Sequence, residues 1–174
     1  MNEVTTQPVR ESADHVQVSR RYGLVVRALR TAFGDRLRTA VLFGSQAQGR
    51  ARAESDHDLF VVIEDLPDRP LARHQVVRQA LLPVLADLPG DISLIAKTPA
   101  EVAANLTALL LDVCADGICL FGADFFEPYR SKGLAAIRQA KLRRHRSFAR
   151  SMWLFPRVPT STWELTWEGY RERA

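Results

Sequence analysis

Leu42-Phe43-Gly44-Ser45-Gln46-Ala47-Gln48-Gly49, followed four residues later by Glu54-Ser55-Asp56-His57-Asp58-Leu59, is the stretch that decides how this chain folds. Thr39 to Phe43 is a short apolar run cut off by Gly44, which reads as a strand. A sharp turn at Gly44 then opens a short helix from Ser45 to about Arg52. Asp58 to Ile63 (Asp-Leu-Phe-Val-Val-Ile) is apolar on both alternating faces, the pattern of a central strand covered on both sides.

Working outward, Val18, Tyr22, Val25, Val26 and Leu29 recur at three- and four-residue spacing and predict an amphipathic helix over about 14–33, ending near Gly34. The dozen residues before it are polar and read as a frayed lead. Leu71 to Leu88 predicts a second helix with Pro83 as a kink, and Pro89-Gly90 punctuates. Asp91 to Ala96 predicts a third strand, Pro99 opens another helix, and Ile118 to Phe121 gives a last short strand. Ser131 to Met152 reads as a closing, very basic helix, and a tail rich in Pro, Thr and Trp begins at Phe155. The expected fold class is α+β (mixed α/β), a mixed sheet flanked by helices, with a C-terminal basic helix and tail. The expected division is a main domain over 14–122 and a C-terminal extension over 123–174.

The 174 residues are 47% apolar and 25% charged, enough to bury a core without a disulfide or structural metal. Cys114 and Cys119 read as small core hydrophobes. Two thiols, no visible signal peptide and no uninterrupted apolar span lead to the expectation of a cytoplasmic protein that does not enter a membrane. The net charge of +4 is unevenly spread. No acid lies between Tyr129 and Trp163, where Arg130, Lys132, Arg138, Lys141, Arg143, Arg144, Arg146, Arg150 and Arg157 all fall. Such a block suits an acidic partner surface, a nucleic acid or a substrate polyphosphate, or is a solvated helix face. Within Ser131–Met152 Phe148 is the only aromatic residue, so base stacking by that helix finds little support.

The chemistry sits around Gly44. Free backbone N–H groups at the start of the helix after Gly44 suit a phosphate, glycine lets it approach, and the Ser45 hydroxyl adds a donor. Asp56 and Asp58 are two apart at the mouth of a strand, so both side chains project to one side, roughly 6–7 Å apart at Cα. Asp91 opens the next apolar strand and reaches the same cluster if the two strands are neighbours. Three acids facing a phosphate-binding turn suit a pair of hard cations about 3.5–4 Å apart, clamping a displacement at phosphorus.

Gly44-Ser45, a ten-residue gap and Asp56-His57-Asp58 resemble the signature of the DNA polymerase beta-like nucleotidyltransferase superfamily, nearest to its minimal, antitoxin-type members. The resemblance covers about residues 14–121. It implies two Mg2+ ions and a nucleoside triphosphate donor, ATP by default. Asp56 and Asp58 would ligate the metals, Asp91 would complete the site and help activate the acceptor hydroxyl, and Gly44 and Ser45 would hold the β- and γ-phosphates. Many relatives carry arginine where this chain has Gln46 and Gln48; Arg50 and Arg52 follow and are expected to supply that charge. His57 is expected to point away from the metals.

Among such proteins the minimal antitoxins resemble enzymes that attach AMP to a partner toxin. Small size and a basic helix suited to an acidic partner favour that acceptor. A small-molecule adenylyltransferase of the aminoglycoside type is the alternative, though only about fifty residues follow Phe121 to build a drug-binding domain. A non-catalytic docking module with the same fold is the third reading.

Overall fold

The computed structural model describes residues 13–53, 55–88, 90–147, 150–157, 159 and 162–173. The polar first twelve residues, Glu54, Pro89 and Phe148 of the sequence reading lie outside them.

Four strands form the main sheet: β1 (Leu37–Phe43), β2 (His57–Ile63), β3 (Ile92–Lys97) and β4 (Ile118–Phe121). Their spatial order is β3-β2-β1-β4. β1 runs antiparallel to both β2 and β4, whereas β3 runs parallel to β2, so the sheet is mixed. A parallel neighbour needs a crossover, and the segment between β2 and β3 supplies it with α3 (Pro70–Leu81) and a 3-10 turn over Leu82–Asp87. The expected kink at Pro83 is this change from α to 3-10 geometry.

Both sheet faces are covered, which is why β1 and β2 are almost continuously apolar. On one face Ala40, Leu42, Leu59, Val61 and Ile63 meet Tyr22, Val25, Leu29 and Phe33 of α1 (Ala13–Phe33) and Val77 and Leu81 of α3. On the other, Val41, Phe43, Phe60 and Val62 meet α4 (Pro99–Ala104), α5 (Ala108–Asp116) and α6 (Ala123–Gln139) through Val102, Leu110, Val113, Cys114 and Phe126. α4 starts on a full capping box, Thr98 with Glu101, behind Pro99. Glu101 also pairs with Arg73 at 2.7 Å, tying α4 to α3. No helix among the described residues is long and apolar enough to cross a membrane.

The basic segment differs from the sequence reading. The last helix is α6, which begins at Ala123 and ends at Gln139, and residues 143–154 form a hairpin of β5 (Arg143–Ser147) and β6 (Arg150–Leu154). Lys141 takes a left-handed φ of 51°, which stops the helix. Pro128 lies inside α6, in its second turn, where it can donate no i→i−4 hydrogen bond. The strand alternation of β5 is hidden in sequence because its inward residue, Arg144, is itself basic. Arg144 pairs with Asp112 and Asp116 of α5, while Arg143 and His145 on either side are exposed. The tail is a second hairpin, β7 (Thr162–Thr166) and β8 (Gly169–Arg173). Its turn carries Trp167, buried with its ring edge-on to Tyr129 and its indole N–H donating to the Val102 carbonyl at 2.7 Å.

Cys114 is buried and its thiol is pushed up to about 12 by burial. Burial raises the Cys119 thiol as well. Both behave as core residues, as the sequence reading expects.

Candidate active site

Phe43 pairs with Asp58 across the antiparallel β1–β2 ladder, so the chain leaving β1 turns beside that carboxylate. The turn is made by Gly44, at φ +70°, opening α2 (Gly44–Ala47). A Cβ on Gly44 would overlap Asp58 Oδ2, so the position demands glycine both for its left-handed backbone and for the approach of the acid. Gly44→Ala is therefore expected to cost about 1–2 kcal/mol from backbone strain alone. It should also displace Asp58, which a thermal melt and a divalent-cation titration of the variant will report together.

Asp56 lies exposed just ahead of β2, and Asp58 is half-buried as its second residue. Burial is the main force raising the Asp58 carboxyl above its ordinary value, and the neighbouring Asp56 charge adds to it. The neighbouring Ser93 hydroxyl and the proximity of His57 act in the opposite direction. A half-buried acid beside a second acid is stabilised by a hard cation. The pair thus fits a divalent ion by the chemistry of its donors.

His57, between the two acids, faces the opposite side of the sheet. It is fully buried, and Tyr22 Oη of α1 is hydrogen-bonded to its Nδ1 at 2.6 Å. That placement keeps it away from the pair, in accord with the sequence reading. Tyr22→Phe removes the partner of a buried ring nitrogen and is expected to cost about 1–3 kcal/mol, measurable as a lowered urea midpoint.

Asp91 lies one residue ahead of β3. Its carbonyl accepts from the His57 N–H at 2.8 Å, and Gly90 before it packs against the Ser55 carbonyl. The strands of Asp58 and Asp91 are neighbours, as the sequence reading supposed. The register, however, sets Ser93 opposite Asp58 and leaves Asp91 exposed outside the ladder. Among the described residues no three His, Cys, Asp or Glu side chains group closely enough to hold one ion. Asp56 and Asp58 are brought together; the Asp91 carboxylate is not gathered with them.

Beyond Gly44 the loop is held by its glutamines. Gln46 donates to the Ser55 carbonyl at 3.2 Å, and Gln48 donates to Asp116 of α5 while accepting from Arg50. Asp116 also accepts from Arg144. Arg144 Nη2 donates to Asp112 at 2.6 Å, and the Trp153 indole donates to the same carboxylate at 2.9 Å. The turn that carries Gly44 and Ser45 is thereby linked through α5 to the β5–β6 hairpin. The sequence reading missed both this network and Ser93. Two acids four apart on the otherwise apolar α5, and a lone hydroxyl inside an apolar strand, were the available signals.

The family described as Polymerase beta, Nucleotidyltransferase matches residues 30–124, more than half of the chain and the whole of the Gly44–Asp58 region. The chain belongs to that family. A Methanocaldococcus jannaschii protein named as a protein adenylyltransferase is 41% identical over 73 residues, 36% of this nucleotidyltransferase-family chain and 49% of the relative. The chain therefore spans about half the length of the curated relative it matches. Among solved structures, a chain of a toxin–antitoxin complex with AMP-PNP aligns at a TM-score of 0.43 and 23% identity, over 71% of this chain and 94% of that one. A chain of a tri-AMPylated Shewanella oneidensis HEPN toxin in complex with an MNT antitoxin aligns at 0.40 and 22%, over 72% and 93%.

Proposed function

We propose that this chain is a Mg2+-dependent nucleotidyltransferase that transfers a nucleoside monophosphate, AMP from ATP, to a hydroxyl of a partner protein. The observation that carries the reading is the contact of Asp58 with Gly44, which sets a carboxylate pair directly against the turn that follows β1. Family membership supports the reaction class, and the name of the 41% identical relative supports a protein acceptor.

In this reading Asp56 and Asp58 hold the cation, which when bound polarises the α-phosphoryl group and offsets charge developing in the transfer. The Gly44 backbone and the Ser45 hydroxyl contact the β- and γ-phosphates, with Arg50 at the loop's outer edge as their counter-charge. Those contacts hold the triphosphate so that the acceptor oxygen and the departing pyrophosphate lie in line. Asp91, outside the ladder, serves from the rim, where an approaching hydroxyl can lose its proton. The partner docks on the basic C-terminal segment, through the exposed Arg143 and His145 of the hairpin rather than along a helix.

Incubation with each α-labelled nucleoside triphosphate and Mg2+, alone and with a host lysate, tests this. Label on a protein band is the expected result. Label on small molecules alone would move the acceptor to the antibiotic type. No label from a folded chain would leave the docking reading standing.

A further inference from the structure

Parallel pairing fixes what faces Asp58. His57 pairs with Ile92 and Asp58 with Ser93, and directly paired residues of a parallel ladder project to the same face about 4.8 Å apart. Ser93 is the one polar residue from Ile92 to Ala96. It stands half-buried in a strand otherwise filled with apolar side chains. Its hydroxyl lies on the same face beside the Asp58 carboxyl, whose pKa it lowers against the effect of burial. On the side of β1 the same carboxylate rests against Gly44, so closely that a Cβ there would overlap Oδ2. Asp58 is thus held between a backbone turn and a hydroxyl.

A third carboxylate able to share an ion with Asp58 would have to stand where Ser93 stands. Asp91 precedes β3 and lies two residues before that place, and no three-acid group forms among the described residues. A hydroxyl adds no charge. Two dications about 3.5–4 Å apart repel strongly, and clusters that hold both do so with several anionic ligands.

We propose that Ser93 is the positioning residue of this site: its hydroxyl fixes the Asp58 carboxylate, and by filling the place of a third acid it leaves protein ligands for one divalent ion. The inference rests on Asp56 and Asp58 being the ligand pair. It departs from the two-ion arrangement that the resemblance implies, and it gives Ser93 a role separate from acceptor choice.

Mn2+ titration of the full chain without nucleotide, with free Mn2+ read by electron paramagnetic resonance, tests it. The wild type is expected to bind one ion per chain and S93D two. S93A is expected to lose about 10–100-fold in Mn2+ affinity, the range seen when a hydrogen-bond partner of a ligand is removed, and S93T to restore it. Two ions on the wild type, one on a folded S93D, or an S93A that binds as the wild type does would each overturn the proposal. Those results leave the Asp56–Asp58 assignment intact. A wild type that binds no Mn2+ at all would remove the assignment and this inference with it. Should S93D fail to fold, the wild-type count and the S93A–S93T pair decide the matter.

Discussion

Replacing Asp56 and Asp58 together by alanine is expected to abolish nucleotidyl transfer, by about 1,000-fold or more, because a cation-assisted displacement loses several kcal/mol of transition-state stabilisation with its ligands. The fold should survive. Asp56 is exposed, and Asp58 is half-buried at a cost, since burial and its neighbour both raise its carboxyl. Removing that charge relieves the repulsion, so the variant's melting temperature is expected to match or exceed that of the wild type. Steady-state label transfer and a thermal melt on the same preparation check both halves. Full activity in the double variant would remove the metal assignment, and a collapsed fold would make the pair structural. Asp91→Asn, outside the ladder, is expected to lower kcat with a smaller loss.

The second large effect falls far from the carboxylates. Arg144 is 10% exposed in its side chain and pairs with both Asp112 and Asp116, with its guanidinium 4.6 Å from the Trp153 ring centroid. Arg144→Met keeps much of the volume but removes the cation facing two partly buried acids, which keep Gln48 and the Trp153 indole as donors. Breaking such a pair from one side costs about 3–5 kcal/mol, and the residual exposure of both acids places this case near the lower figure. For a chain of this size that is a fall of about 6–12 °C in melting temperature. Adding Asp112→Asn and Asp116→Asn to Arg144→Met should recover much of the loss, because no uncompensated charge remains. A fall of one or two degrees would mean the network contributes little. Asp116 also accepts from Gln48, so the single variant is expected to raise KM for the triphosphate as well.

The sheet was readable from residues because burial on both faces leaves an unmistakable run. Ala40–Phe43 and Leu59–Ile63 are apolar throughout, and a glycine and an acid punctuate them. Gly44, Asp56 and Asp58 were readable for a related reason: a strand end, a glycine turn and paired acids lie within one short stretch of chain. Asp91 shows what such reading leaves open. Its position at the head of an apolar strand suggests a third ligand, but register depends on where β3 pairs with β2, and that pairing puts Ser93 opposite Asp58. The reading of the basic segment did fail. A strand whose inward residue is Arg144 has no hydrophobic alternation to detect, because its burial is balanced by acids about thirty residues earlier on α5. Local pattern cannot report a partner so distant in sequence.

Nucleotidyl transfer at the Asp56–Asp58 pair beside Gly44 is decided by supplying ATP labelled at either the α- or the γ-phosphate, with Mg2+ and the acceptor fraction. The α-label is expected to become covalently attached and the γ-label to leave as pyrophosphate, and both signals are expected to vanish in the Asp56→Ala, Asp58→Ala chain. Attachment of γ-label, or α-label transfer that persists without the two carboxylates, would contradict it.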